Sequence, residues 1–529
     1  MEEGKAKAPD PALGRELLKQ YKFSKEAFSR RIATERDFWK KRYSYDKESP
    51  SAWLFNSIVN KHADIIDNIP ECVCLPREEK DWEDAETLSK IIPVINERCG
   101  FEQTYSDNSW QKLRHGTAVY GVFWNNNLYE GLGDIDIRRI EIENLYWEAG
   151  VEDMQDSRNV FLCSAEYTDI LKEKYPGLNS EKVSAEAEGL SREIYGDKIN
   201  TNEKWAVVDW YYKLYTDEGE ILHFCKFIGN RIIYSSQSDP QCENGWYLHG
   251  KYPFVFDIMY PCDGDVCGFG LISVGRSCQN YIDSLDRNLM NYSDWASRVR
   301  FWAKKSLGVN ISDFCDMSKA IVEVEGDIDE EKLKRIEIGS IDSSVIDVKK
   351  LKIEELKETT GSRDVSLGSS SGGVTAASAI ERLQEAGAKF SRDGIENSCR
   401  ACAAICALEI ELIRQFYDSE RIFRTVGENG EAEYLKFNAG SLSGNKDGRA
   451  PYFDIEIKTR KRTPTERQLL NNFAKELYDS GAFEDQNISQ TLIMLSMMDF
   501  DGIGDLREAL VKRQKYLEDK GKKYDNGRV

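Results

Sequence analysis

Apolar residues recur at helical spacing from position 14 to 46, where Leu17, Leu18, Tyr21, Phe28, Ile32, Phe38 and Trp39 stand among many charges. That spacing gathers them on one stripe and predicts an amphipathic helix on an outer face. Mixed helical sequence runs from about 52 to 125 through Trp53, Leu54, Ile58, Val59, Ile65 and Ile66. It closes on an aromatic strand at Ala118, Val119, Tyr120, Gly121, Val122, Phe123 and Trp124. From there to about 260 strand signals dominate, at Trp205 to Tyr211, Leu222 to Lys226 and Arg231 to Tyr234, parted by turn residues such as Glu218, Gly219, Gly229 and Asn230. The first half therefore reads as α+β.

The period changes after Gly268, Phe269 and Gly270. Cys278, Tyr281, Ile282, Leu285, Leu289, Tyr292, Ala296, Val299 and Trp302 predict one helix of about 30 residues, roughly 45 Å long. A short insertion of strand character follows (Ala320, Ile321, Val322, Val324, Ile336, Ile338), and a helical pattern resumes over 344 to 359 through Val345, Val348, Leu351, Ile353 and Leu356. Two helices thus flank a small β-containing module. Gly361 to Thr375 is rich in small residues that cannot pack a core, which predicts a mobile loop. Residues 375 to 418 form the longest helical pattern, roughly 65 Å if unbroken. A hairpin over Arg421 to Phe437, turning at Gly427 to Gly430, and alternation at Phe453, Ile455 and Ile457 return the chain to sheet. Thr463, Pro464 and Glu466 carry the capping signals of a last, helical section.

The 529 residues leave room for two to four domains. No run reaches the ~18 apolar residues of a membrane helix, and the first residues lack the layout of a signal peptide, so a soluble intracellular protein is expected. Thirteen cysteines, an odd number without a secretion signal, point to reduced thiols. The net charge of −20 has the wrong sign for gripping nucleic-acid phosphates, so any DNA contact should be shallow and sliding.

Motifs that promise chemistry fail on their partners. Gly368, Ser369, Ser370, Ser371 and Gly372 match the nucleophile elbow G-x-S-x-G, which requires a histidine downstream, yet His62, His115, His223 and His249 all precede it. Cys399, Cys402 and Cys406 share a helical face, a spacing that a buried stripe explains better than a metal; Cys72 and Cys74 are a similarly weak pair. No phosphate loop occurs, and Gly268-Phe269-Gly270 lacks the third glycine of a dinucleotide fingerprint, so the chain is no ATP-driven motor. Asp499, Asp501, Gly502 and Asp505 resemble a calcium loop with Leu510 where its bidentate glutamate belongs. Lys458, Arg460, Lys461 and Arg462 form the strongest basic cluster, either a solvated strand end or a phosphate contact. No catalytic residue, cofactor or metal is expected. The alternatives are an enzyme with an aromatic pocket on Trp124, Trp147, Trp205 and Trp210, and a structural adaptor that conducts nothing.

Four stretches in order carry a resemblance. They are Gly250 to Phe254 running through Gly268 to Gly270 into the helix of Gln279, Asp283 and Asn288; Gly372 to Ile380; Glu409 to Arg424; and Glu466 to Asp501. In this order they resemble the portal proteins of tailed phages, particularly those of phages and prophages of Gram-positive bacteria, over roughly residues 50 to 510. The likeness implies an α+β portal fold: an α/β wing (1–265, and 376–460 with its long helix), a two-helix stem (266–300 and 344–360), a small β-containing clip (301–343), a tunnel loop (361–375) and a helical C-terminal crown (461–529). It also implies a homo-oligomeric ring, usually a dodecamer, assembled in the bacterial cytoplasm and set at the portal vertex of the virion. Double-stranded DNA would pass through it transiently and without sequence preference during packaging and ejection. Arg363, Asp364, Ser369, Ser370, Ser371, Gly372 and Gly373 would form the loop that approaches DNA. Phe314, Met317, Val322, Val324 and Ile336 of the clip would contact the terminase large subunit and later the head–tail adaptor. Scaffold and major capsid proteins are the implied wing-side partners.

Overall fold

Helices come first, strands fill the middle, and long helices return before the last strands. In the computed structural model, residues 9–43, 51–216, 219–297, 301–303, 333–335, 341–361, 389–426, 432–440 and 451–461 are described, with isolated positions besides. Helices α1 (Pro11–Ser24), α2 (Glu26–Tyr43) and α3 (Trp53–Ile66) precede strand β1 (Asn68–Pro76); α4 (Trp82–Arg98) and α5 (Phe101–His115) precede β2 (Thr117–Asn125). Next come β3 (Asp134–Ile140), β4 (Leu145–Trp147), β5 (Asn159–Tyr167), α6 (Thr168–Lys174), α7 (Glu181–Tyr195), β6 (Lys204–Thr216), β7 (Gly219–Ile228), β8 (Arg231–Ser235) and β9 (Phe254–Ile258). The remainder holds α8 (Leu271–Ser297), β10 (Phe301–Ala303), β11 (Leu333–Arg335), α9 (Ser343–Thr360), α10 (Lys389–Phe416), β12 (Arg421–Val426), β13 (Ala432–Phe437) and β14 (Phe453–Lys461). The mixture is α+β, as the sequence indicates.

Among the described residues all pairings are antiparallel: a five-stranded sheet β4-β5-β6-β7-β8, a three-stranded sheet β3-β2-β9, and the pairs β1-β14, β12-β13 and β10-β11. The main core gathers Leu54, Ile58, Leu88, Ile92, Tyr105, Val119, Ile272, Ile405 and Ile413, so α3, α4, α5, α8, α10 and the smaller sheets share one interior. A polar knot crosses it. Lys112 of α5, wholly buried, donates to Asp257 of β9, to the carbonyl of Gly394 (2.7 Å) and to Ser398 of α10 (2.8 Å), while the Ser398 hydroxyl donates to Asp257 at 2.8 Å.

Several expectations change on contact with the structure. The N-terminal pattern folds as two helices, because Lys25 turns inward at the break. Its ammonium donates to the carbonyls of Ile142 and Leu145 and lies 4.3 Å from the centroid of Trp147. Burial pushes this amine down to about 8. The stretch 52 to 125 contains β1, whose short alternating run Cys72-Val73-Cys74 meets Ile457-Glu456-Ile455 of β14. The region from 125 to 260 contains α6 and α7. The helix anticipated through Trp302 is described as far as Ser297 and does not reach Trp302, which stands in β10 opposite Lys334. Residues 320–324, 336, 338, 362–388, 427–430 and 463–466 lie outside the described residues.

One buried carboxyl lacks a partner. Glu409 of α10 is fully buried, and neither side-chain oxygen has a hydrogen-bond partner. Burial, reinforced by the nearby Cys72 and Cys74 thiols, pushes its carboxyl well above the usual carboxylate range. A carboxyl whose folded pKa exceeds its unfolded one costs stability as pH climbs past the unfolded value. Glu409→Gln is therefore expected to raise Tm at pH 8 and to leave it unchanged near pH 4; equal melting at pH 8 would contradict this.

Candidate assembly site: a projecting helical hairpin

The hairpin of α8 and α9 starts from a close backbone crossing. Gly116 sits at φ +88°, and a Cβ there would lie 2.0 Å from the Phe269 carbonyl carbon. A Cβ on Gly270 would come within 2.6 Å of the Arg114 oxygen. Only glycines allow the chain to pass here, which is why the Gly268-Phe269-Gly270 punctuation precedes α8.

Helix α8 buries Leu271, Ile272, Gly275, Gln279, Ile282, Asp283 and Asp286, a stripe confined to its first sixteen residues. Beyond Asp286 nothing on it is buried. Helix α9 opens on Asp342, whose side chain accepts from the Ser344 amide at 3.0 Å and whose carboxyl is held below the usual range by that bond. It closes on Gly361 in the left-handed conformation and buries only Leu356 and Thr360. The two helices touch through the Lys349–Asp286 ion pair and the Cys278 thiol on the Lys352 carbonyl (3.1 Å), and the Tyr292 hydroxyl of α8 donates to the carbonyl of Gly339, ahead of α9. At the far end β10 and β11 pair, Phe301 against Arg335. The root is packed and the rest projects.

A buried polar clamp fixes the root. Arg42 of α2 donates to Asp283 at 3.1 Å, Ser51 donates to the other Asp283 oxygen at 3.0 Å, and the Gln279 amide donates to both Ser51 and Asp283. The Gln279 oxygen accepts from the Leu54 amide, one of the orphan donors at the start of α3. Leu54 itself packs so tightly against α8 that a Cβ on Gly275 would lie 2.7 Å from it. Thr360 completes the joint with a 3.1 Å hydrogen bond to Ser57.

The projecting part leaves large apolar side chains in water: Tyr281, Met290 and Trp295 on α8, and Ile346, Val348 and Leu351 on α9, with Trp295 58% and Leu351 62% exposed. Six such residues on one hairpin mark a surface that expects cover. Charge on the hairpin is balanced. Helix α8 has two arginines against three aspartates, and α9 four lysines against Asp347, Glu354, Glu355 and Glu358, so the pair carries −1 of a chain total of −20. The acidic excess lies elsewhere.

All of the residues singled out from sequence for DNA or partner contact (Arg363, Asp364, Ser369, Ser370, Ser371, Gly372, Gly373, Phe314, Met317, Val322, Val324 and Ile336) lie outside the described residues. The four tryptophans of the enzyme alternative do not converge. Trp124 stacks on Phe416 at 4.7 Å, Trp147 meets Phe256, Trp210 joins Phe161 in a second core cluster, and Trp205 belongs to a third. Cys402 and Cys406 are buried in the main core with Cys72 and Cys74. Among the described residues no three His, Cys, Asp or Glu side chains are placed to hold a metal ion, and no helix is long and apolar enough to cross a membrane. Sequence reasoning missed the clamp of Arg42, Ser51, Gln279 and Asp283, which no local spacing reveals. It also missed the exposed stripe, although the apolar set on α8 is too wide for one buried face.

Residues 316–524 match the family model of the phage P22-like portal protein. The matched segment takes in β11, α9, α10 and the strands that follow. No curated protein matches the chain.

Proposed function

We propose, from the premise that this chain is a phage portal protein carrying the P22-like family's pattern over residues 316–524, that it forms a ring at the capsid vertex through which double-stranded DNA is packaged and ejected. The observation that carries the proposal is the α8–α9 hairpin, packed at its root and uncovered along its length. A subunit that leaves Trp295, Met290, Leu351 and Ile346 in water gains by burying them against the next copy. Repeating one such contact head to tail around an axis closes a ring, usually a dodecamer in portals.

In this reading α8 and α9 are the stem, residues 301–343 the clip, 361–375 the tunnel loop, 461–529 the crown, and 1–265 with 376–460 the wing. A moving polyanion must not stick. A wall whose lysines alternate with carboxylates offers shallow, interchangeable phosphate contacts, and the acidic remainder of the chain discourages binding elsewhere. Work is supplied by the terminase ATPase, which docks at the clip through Phe314, Met317, Val322, Val324 and Ile336 and is later replaced by the head–tail adaptor. Major capsid and scaffold proteins meet the wing. The chain itself catalyses nothing; its family is a structural one.

Deleting this gene from its phage or prophage is expected to yield heads without DNA, and filled heads in its absence would refute the assignment. Deleting Ser369 to Gly373 is expected to leave ring mass unchanged and to cut packaged DNA at least tenfold, since the glycines supply the backbone freedom a passing duplex demands. Undiminished packaging would remove the loop from the mechanism.

A further inference from the structure

The two outer sides of the α8–α9 hairpin differ in charge. Asp286 and Cys278 turn toward α9, and Lys349 and Leu356 turn toward α8, Leu356 lying against Gly275. At about 100° per residue, Arg276, Asn280, Ser284 and Arg287 fall on the side of α8 away from its partner helix. Arg276 is half-buried and the other three are exposed. Asp347, Leu351, Glu354 and Glu358 fall on the side of α9 away from α8, all four exposed.

Charge divides with the sides. Asp283 and Asp286 of α8 are held within the subunit by Arg42 and Lys349, whereas both arginines of α8 stand in its outer stripe, with Asp294 two turns further out. Three of the four carboxylates of α9 lie on its outer side. Asp347 has Lys350 at 3.6 Å, but both are largely exposed, and a pair so wetted contributes little.

The two stripes also match in height. The helices run antiparallel, so a step forward on one is a step back on the other, and the Lys349–Asp286 pair fixes which side chains meet. By that offset Ser284 is level with Leu351. Arg287 is within one residue of Asp347, Asn280 of Glu354 and Arg276 of Glu358, each a rise of about 1.5 Å. Lying on opposite sides of one hairpin, these pairs cannot meet within it. Rotation about an axis parallel to the hairpin keeps each residue at its height and brings the outer side of α8 against the outer side of the next copy's α9.

We propose that neighbouring copies join along this ladder, Arg276 to Glu358, Asn280 to Glu354, Ser284 against Leu351 and Arg287 to Asp347. The inference rests on the ring reading and adds to it the register of the boundary and the residues that set it. The Asn280 oxygen already accepts from Arg42 at 2.5 Å, so its amide group is the part left to donate to a carboxylate. Direction follows from charge. Two α8 stripes face to face would set arginine on arginine, so the contact runs head to tail, the order that closes a ring. The arginines of α8, whose planar forks are shaped to grip phosphate, are thereby engaged away from the duplex.

The test is charge reversal with rescue, read as ring mass by light scattering and native mass spectrometry on the full chain. R276E/R287E alone and D347R/E358R alone are each expected to raise the concentration needed for half-assembly about tenfold at low salt. Combining all four changes should restore most of it. Circular dichroism that matches wild type shows that each variant has folded; a variant that has not is replaced by R276Q/R287Q or D347N/E358Q, with a smaller shift in the same direction expected. A wild-type ring whose assembly is indifferent to both reversals, or reversals that the combination does not rescue, overturns this ladder and leaves the ring intact. A wild-type chain that never exceeds monomer mass overturns the ring reading and the ladder with it.

Discussion

Replacing Leu351 or Trp295 by aspartate is expected to leave the subunit folded and to abolish the ring. Both side chains are more than half exposed on the projecting hairpin, so neither change opens a cavity in the subunit's core. In the proposed ring their worth lies in association. Burying a side chain of this size contributes about 1.5–3 kcal/mol, and a carboxylate in its place adds the cost of removing a charge from water. In a closed ring the loss recurs at every boundary, so a modest defect per contact becomes failure of the whole. Gel filtration with light scattering measures this directly. Monomers with an unchanged thermal transition are expected, and full-sized rings would show that the hairpin is not a subunit contact.

Breaking the Lys112–Asp257 pair carries the largest expected loss of stability. Both side chains are wholly buried, and Asp257 also accepts from Ser398. Asp257→Ala leaves an ammonium without its counter-charge in the interior, which costs about 3–5 kcal/mol, a large share of the roughly 5–15 kcal/mol that holds a typical domain together. K112M/D257A removes both charges and should recover most of the loss, because the desolvation cost disappears with the charges. Denaturant unfolding of the two variants decides it. A single mutant within about 1 kcal/mol of wild type would contradict this account of the α5–β9–α10 joint.

What could be read from sequence follows from how local each feature is. Strands β2, β6, β7 and β8 and helices α8 and α9 announced themselves by period and by flanking glycines, because each buries one face along a continuous stretch. The end of α8 did not. Apolar spacing continues through Val299 to Trp302, and the chain changes to strand only because Leu333–Arg335 supplies a partner for Phe301–Ala303. The break at Lys25 carries no proline or glycine signal; it exists because two distant carbonyls and an aromatic ring receive the ammonium. Strand β1 is similar, since Cys72 and Cys74 read as a loose pair until β14 arrives from the far end of the chain. The hairpin was legible as two helices around a module, and its exposure was not, because periodicity cannot separate apolar residues buried within a subunit from those awaiting another.

Electron microscopy of the purified protein, with light scattering for mass, tests the central claim most directly. Rings of uniform subunit number around a duplex-wide channel are the predicted result. Compact monomers across concentration and salt, persisting when scaffold protein is added, would contradict it.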